Sequence, residues 1–276
     1  MLQEVEILQL ATRLLNAYDG GYATERPSQH AALVLADAYR VGATLTALRR
    51  ARGERTVGRK IGFTNRSLWP AYGVDRPLWA HVYNTTVQSA PQGHVAISLA
   101  GMLAPRIEPE IVLGIGAPID AATTDLTDPH ALLQHVSWVA AGFEIVDCHF
   151  AGWQFTSAEC AADFGLHARL IIGEPLQYDP AHAEELAVQL AACRLTLSCD
   201  GEVRAEGIGA NALDSPLLAL GYLVATLAAQ QAEPVMAGEV ITTGTLTAAL
   251  PIAPGAVWRA SLQGIPLAPL NLTLVE

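Results

Sequence analysis

The sequence predicts an α+β fold, a helical N-terminal part joined to a β-rich body, and not an alternating parallel α/β chain. Two helix-period apolar stripes fall before residue 54, and strand-like runs dominate from about residue 95. Of the 276 residues 51% are hydrophobic and only 16% charged, enough for a substantial core.

The elements follow in order. Residues 4–17 place Ile7, Leu10, Ala11 and Leu14 on one helical face, and Gly20-Gly21 stops the run. A second helix is expected from Ser28, with Val34, Ala38, Val41, Leu45 and Leu48 as its buried stripe. TVGRKIGFT (56–64) is β-prone and leads into a loop-rich passage, 65–87. Strands are expected at 106–114, 138–147, 168–173, 192–199, 239–247 and 268–275. Asp200-Gly201, inside CDGE, suits a tight hairpin turn with positive φ. Asp128-Pro129 and Asp214-Ser215-Pro216 each put a capping residue before an early helical proline, so two helices interrupt the strands. The expected division is an N-terminal domain at 1–85 and a β-rich domain at 86–276.

A formal charge of −11 argues against a nucleic-acid partner. It leaves room for a small anionic substrate, because a bound metal reverses the field locally. Cys148, Cys160, Cys193 and Cys199 show no metal-ligand spacing and read as reduced thiols. MLQEVEILQL lacks the regions of a signal peptide, so a cytoplasmic protein is expected. The longest apolar helix candidate, 217–229, is shorter than the roughly 20 residues a bilayer requires, so no membrane span is expected.

The chemistry-bearing stretch is RIEPEI, 106–111. On a strand Glu108 and Glu110 point to one face, roughly 7 Å apart along it. Pro109 between them suits an edge or irregular strand. Two like charges repel, and burying them unpaired is costly; a hard divalent cation relieves that cost. A solvent-exposed face carrying two surface glutamates is the alternative. VAAGFEIVDCHF (139–150) adds Glu144 inside a second apolar run, where an ionised residue is unusual unless paired or ligated.

In order, VGRKIGFTN, YGVDRPLWAHV, PRIEPEIVLGIG, FEIVDCHFAGWQF, AADFGLHARLIIG and GEVITTGTLT resemble the 2-keto-4-pentenoate hydratase and 4-oxalocrotonate decarboxylase family of the fumarylacetoacetate hydrolase superfamily. The resemblance implies a mixed β-roll with a smaller helical/α+β N-terminal domain. It implies magnesium or manganese held by Glu108, Glu110 and Glu144, and a small 2-keto or 2-enol carboxylate substrate. It also implies a homo-oligomer, which in this family can associate with a homologous hydratase or decarboxylase.

Lys60 matches a lysine close to the substrate, where its cation could bind a carboxylate or move a proton. Gly58 and Gly62 beside it would let backbone approach a ligand. Asp75, Glu159 and Asp163 fall on family motif positions, and His167 could serve as acid or base. The chain departs from the family at Gln154, where lysine is common, and at Phe164, where asparagine is common. Glu159 stands where aspartate is usual. The implied activity is addition of water to a 2-hydroxy-2,4-dienoate in aromatic-compound catabolism. A 2-keto acid decarboxylase, an acylpyruvate C–C hydrolase and a non-catalytic partner subunit stay open on the same fold.

Overall fold

The computed structural model describes residues 1–29 and 32–276. Helix α1 (Glu4–Gly20) ends where Gly21 takes φ 62°, the left-handed cap that the Gly20-Gly21 pair allows. Helix α2 spans Leu35–Ala51, so the start expected at Ser28 is corrected: Pro27–Gln29 form an isolated 3-10 turn. Residues 30 and 31, also part of that expected helix, lie outside the described residues. Ala38, Val41 and Leu45 are buried as expected, while Val34 is 47% exposed as the N-cap.

Then come β1 (Thr56–Gly62), the short α3 (Trp69–Tyr72), β2 (Leu78–Tyr83), β3 (Val87–Ser89), β4 (His94–Ser98) and β5 (Arg106–Ile115). Next are α4 (Pro129–Leu133), β6 (Val136–Val146), α5 (Ser157–Ala162), β7 (His167–Ile172) and β8 (Leu176–Gln177). The last third runs α6 (Ala183–Ala192), β9 (Arg194–Cys199), β10 (Glu202–Ile208), α7 (Pro216–Ala229), β11 (Val240–Thr242), β12 (Leu250–Pro251), β13 (Val257–Gln263) and β14 (Leu270–Val275). The β9–β10 hairpin turns at Asp200 (φ 52°) and Gly201 (φ 86°), as Asp-Gly demands. Asp128 caps α4 through His130 N (2.9 Å), and Ser215 caps α7 through Leu217 N (3.3 Å). Helices α5 and α6 and strand β2 are additions to the expected elements; β2 lies inside the passage read as loop.

A nine-stranded sheet has the order β2-β1-β11-β5-β6-β7-β3, with β12 also on β5 and β8 on β6. A five-stranded sheet has the order β10-β9-β13-β14-β4. This is the mixed α+β architecture expected. The boundary expected at residue 85 falls between β2 and β3, which occupy opposite ends of one sheet. The main core, with Ile107, Leu113, Phe143, Leu195, Leu220 and Leu270, joins both sheets to α4, α6 and α7. A second cluster joins α1 and α2 to α5 through Leu14, Leu45, Phe150 and Ala162.

The helical run Gly209–Ala229 is 21 residues with mean hydropathy 1.5, longer than the 13-residue segment read from sequence and sufficient by length and composition alone to cross a membrane. Yet 61% of its most apolar window is buried within the protein, and α7 packs on α4 and α6 as a core helix.

Candidate active site

Strand β5 explains how carboxylates enter an apolar run. Its odd positions Ile107, Ile111 and Leu113 are fully buried in the main core, at about 1.5–3 kcal/mol of stabilisation each. Its even positions turn to the other face, where Val112 packs with Val82, Ala140, Leu170 and Ile172 in a small cluster. Glu108 and Glu110 continue that face, and Glu144 on β6 lies directly opposite Glu108 in the antiparallel register. Strand alternation therefore puts all three glutamates together.

Of the two alternatives that Pro109 suits, the edge strand is corrected, because β5 runs between β11 and β6, and the irregular strand is what the structure has. Pro109 O accepts from Leu246 N (3.0 Å), so its nitrogen also points away from β6. On that side β11 pairs only 112–114 and β12 only 106–107. The missing N–H thus faces a gap and removes no ladder bond. The expected strand 239–247 stops at Thr242 for the same reason: its continuation wraps Glu110. Thr242 Oγ1 and Gly244 N (2.8 Å) both donate to Glu110 Oε2. Gly244 has φ 97°, and a Cβ there would lie 1.7 Å from Thr64 Oγ1, so no other residue fits.

One oxygen from each glutamate lies within 4.8 Å of those of the other two. Lys60 on β1 is 3% exposed and sets Nζ 2.9 Å from Glu144 Oε2, an ion pair not aligned as a hydrogen bond. His167 Nδ1 lies 2.8 Å from Glu144 Oε1. Glu110 Oε1 is buried without a donor among the described residues.

Burial, with the like charges of Glu144 and Glu108, pushes the Glu110 carboxyl well up. Burial pushes Glu108 to about 7, Lys60 pulling down and Glu144 up, although the residue as a whole is only partly buried. Burial alone would raise Glu144 too, but Lys60 and His167 outweigh it and hold its carboxyl low. Burial alone would lower Lys60; the charges of Glu144, Glu108 and Glu110 outweigh it and hold the ammonium above its ordinary range. Three converging carboxylates, one with an orphaned oxygen, form a donor set that fits a hard divalent cation. A single ammonium does not balance them.

The remaining candidates separate. Gly165, with φ 59°, lies against the Lys60 stem, where a Cβ would come 3.0 Å from Lys60 Cδ. Gly58 serves sheet packing and no ligand, since a Cβ there would lie 1.9 Å from Val240 O. Asp75 is 72% exposed and pairs with its neighbour Arg76 (3.0 Å). Glu159 is buried and spent on structure: it accepts from Arg26, from Ser28 N (3.0 Å) and from Thr156 N (2.8 Å), closing the capping box of α5. Asp163 is buried and accepts from His149 N (3.0 Å), with His149 Nδ1 at 2.8 Å from its other oxygen. Gln154 is exposed. Phe164 packs on Tyr18 with ring centroids 4.7 Å apart, so it belongs to the second core and not to a wall of the carboxylate site.

Sequence reading missed an aromatic wall. Arg106 shares the strand face of Glu108 and holds its guanidinium 3.9 Å over the Trp153 ring. Its Nη1 lies 3.5 Å from Tyr72 Oη, and Tyr72 stacks on Phe155 at 5.7 Å beside Phe63. Burial first, and the nearby Glu108 charge, raise the Tyr72 hydroxyl, while Arg106 opposes them. The i, i+2, i+4 spacing of Arg106, Glu108 and Glu110 was the available signal. A separate cavity of about 770 Å³ lies between α2, β2 and residues 230–233, and no carboxylate of the cluster lines it.

The Fumarylacetoacetate (FAA) hydrolase C-terminal family matches residues 69–270. A 4-oxalocrotonate decarboxylase from Pseudomonas sp is 31% identical over 95% of this chain and 96% of its own. A 2-hydroxyhexa-2,4-dienoate hydratase from Comamonas testosteroni is 28% identical over 88% of each. The structure of 4-oxalocrotonate decarboxylase from Pseudomonas putida G7, complexed with magnesium and adipate, superposes with TM-score 0.88 at 27% identity, covering 100% of this chain and 99% of that one.

Proposed function

The chain belongs to the fumarylacetoacetate hydrolase family, and from that premise we propose that it is a metal-dependent lyase, a hydratase adding water to a 2-hydroxy-2,4-dienoate to give a 4-hydroxy-2-keto acid. The observation that carries this reading is the converging trio Glu108, Glu110 and Glu144 with an orphaned buried oxygen on Glu110. These three side chains would hold magnesium or manganese. When bound, the cation acts as a Lewis acid toward a 2-keto carboxylate and stabilises negative charge developing on it.

The chain's own residues supply the rest. Glu110 is held rigid by Thr242 and Gly244, so its free oxygen keeps one direction. Lys60 brings a buried cation to the cluster and can hold or deliver a proton at Nζ. Phe63, Tyr72, Trp153 and Phe155 form an apolar wall suited to an unsaturated carbon chain, and their rings exclude water from it. Arg106 at that wall forms no ion pair with a carboxylate among the described residues and suits a carboxylate of the substrate. Asp75, exposed in the turn before β2 and paired with Arg76, is proposed as a further catalytic residue.

A decarboxylase of 4-oxalocrotonate type is the second reading, favoured by the end-to-end match to the Pseudomonas decarboxylase. Both readings place the protein in aromatic-compound catabolism as a cytoplasmic homo-oligomer, in which a homologous subunit could join. The test follows the ultraviolet absorbance of 2-hydroxypenta-2,4-dienoate with magnesium and with chelator. Metal-dependent loss of the dienol, with the 4-hydroxy-2-keto acid as product, supports the hydratase. Carbon dioxide release from 4-oxalocrotonate without dienol hydration moves the assignment to the decarboxylase. No turnover of either substrate overturns the lyase.

A further inference from the structure

We propose that His167, backed by Thr86, is a positioning residue that sets the direction of the Glu144 carboxylate toward a bound divalent cation. This rests on the reading of Glu108, Glu110 and Glu144 as the metal ligands.

The argument starts from strand parity. In the β6–β7 ladder Glu144 lies opposite Leu170 and Ile145 opposite Arg169. Regular alternation would then put Leu170 and Ala168 on the face of Glu144 and send His167 to the other side. The register shifts at this point, and Val146 pairs with His167. Ala168 is therefore an extra residue, a β-bulge, which inverts the parity and turns His167 onto the face of Glu144. The bulge is itself held in place: Ala168 O accepts from Tyr18 Oη (3.1 Å) and Arg169 Nη1 (2.8 Å). A local distortion with its own two donors thus delivers one side chain to one carboxylate.

Both ring nitrogens of His167 are used. Nδ1 lies 2.8 Å from Glu144 Oε1, and Nε2 lies 2.8 Å from Thr86 Oγ1. An ionised carboxylate only accepts, so Nδ1 carries the proton, and in the neutral ring Nε2 accepts from the Thr86 hydroxyl, the shorter of that hydroxyl's two contacts, the other being Tyr83 O at 3.0 Å. Thr86 is fixed by its backbone, with Thr86 N donating to Tyr83 O (2.9 Å) and Leu170 N donating to Thr86 O (2.8 Å). The His167 side chain is 1% exposed. With no free nitrogen and no exposed edge, it does not fit the acid–base role read from sequence. Instead it occupies Oε1, leaving Oε2, which meets only the Lys60 ammonium at 2.9 Å without an aligned hydrogen bond, to face a cation. Partners of this kind around a ligating carboxylate are worth about 10–100-fold in metal affinity.

The experiment is titration calorimetry of the full-length protein with magnesium chloride and, separately, manganese chloride, with Tm measured for each variant. His167→Asn keeps an N–H near the Nδ1 position, whereas His167→Gln fills similar space with its amide near Nε2. Expected are dissociation constants close to wild type for His167→Asn and about 10–100-fold weaker for His167→Gln and His167→Ala. Thr86→Val should fall between, and Thr86→Ser should restore it. Equal metal affinity in wild type, Asn, Gln and Ala variants overturns the positioning role. Equal weakening of the Asn and Gln variants, tracking loss of Tm, also overturns it, because packing alone would explain that. A wild-type protein that binds neither metal overturns the metal reading itself, a failure distinct from the other two.

Discussion

Two groups of buried carboxylates sit in this molecule, and they are built differently. Around α5 and the loops beside it, Glu159 accepts from Arg26 and two backbone N–H groups, and Asp163 meets His149 twice. Asp147 likewise accepts from Leu103 N (2.7 Å) and Ala104 N (2.8 Å). Each of these acids is matched by donors that hold loops in place. On the polar face of the large sheet the opposite holds: three glutamates share one ammonium, and Glu110 Oε1 has no donor among the described residues. Burial alone therefore does not mark a site. A deficit of donors around buried charge does, because the folded chain leaves the balance to something that binds.

The contrast is tested most severely by exchanging the two kinds of acid. Glu110→Ala should lower metal-dependent turnover on the order of 10³-fold, several kcal/mol of lost transition-state stabilisation. Its Tm in chelator should stay level or rise, since one of three repelling charges is gone; full activity in this variant would break the comparison. Glu159→Ala should do the reverse. Leaving Arg26 and the first turn of α5 without their partner costs about 3 kcal/mol, with metal affinity of the folded fraction unchanged. Calorimetry and thermal melts on the same samples separate the two outcomes.

A subtler division concerns pH. Glu108 and Glu110 hold protons more tightly folded than unfolded, so the metal-free protein should lose stability as pH rises from about 5 through about 7. Magnesium should restore Tm at pH 8 and do little at pH 5, where protons occupy the ligands. Burial raises Glu159, but Ser28 and Arg26 outweigh it and hold the carboxyl low. Its contribution is therefore present above its ordinary 4.5 and lost only as pH falls below that. Melts in chelator that are flat between pH 5 and 8 would argue against the donor deficit. The smallest effect belongs to Thr242→Val, which removes one donor to Glu110 and should weaken magnesium binding by about tenfold or less. An unchanged dissociation constant there would show that Gly244 N alone fixes that carboxylate.

Much of this was legible beforehand. Apolar runs located β5 and β6, and E-x-E with the later glutamate named the three carboxylates, which the register then gathered on one face with Glu144 opposite Glu108. Asp200-Gly201 marked its hairpin because few other pairs accept two positive φ angles. Helix α6 and strand β2 carry weaker signals, β2 because LWAHVY lies inside a passage broken by Pro70, Gly73, Pro77 and Asn84. The second helix begins later than its sequence signal, because α2 takes Val34 as its N-cap and the Ser28 N–H instead serves Glu159.

By itself, the sequence determined the α+β class, the apolar and polar faces of the central strands, and the acids that share a face. Those properties are local, set by side-chain period and turn chemistry along a few consecutive residues. Only the tertiary structure decided which acids are matched and which are not. Besides the local Thr156 N, the donors to Glu159 come from 131 and 133 positions away, and those to Glu110 from 132 and 134. It also decided the role of His167, whose parity is inverted by one extra residue in a strand pairing. No period read along the chain reveals where two strands fall out of register, because that depends on the partner strand and on Tyr18 holding the bulge from a helix 150 residues away.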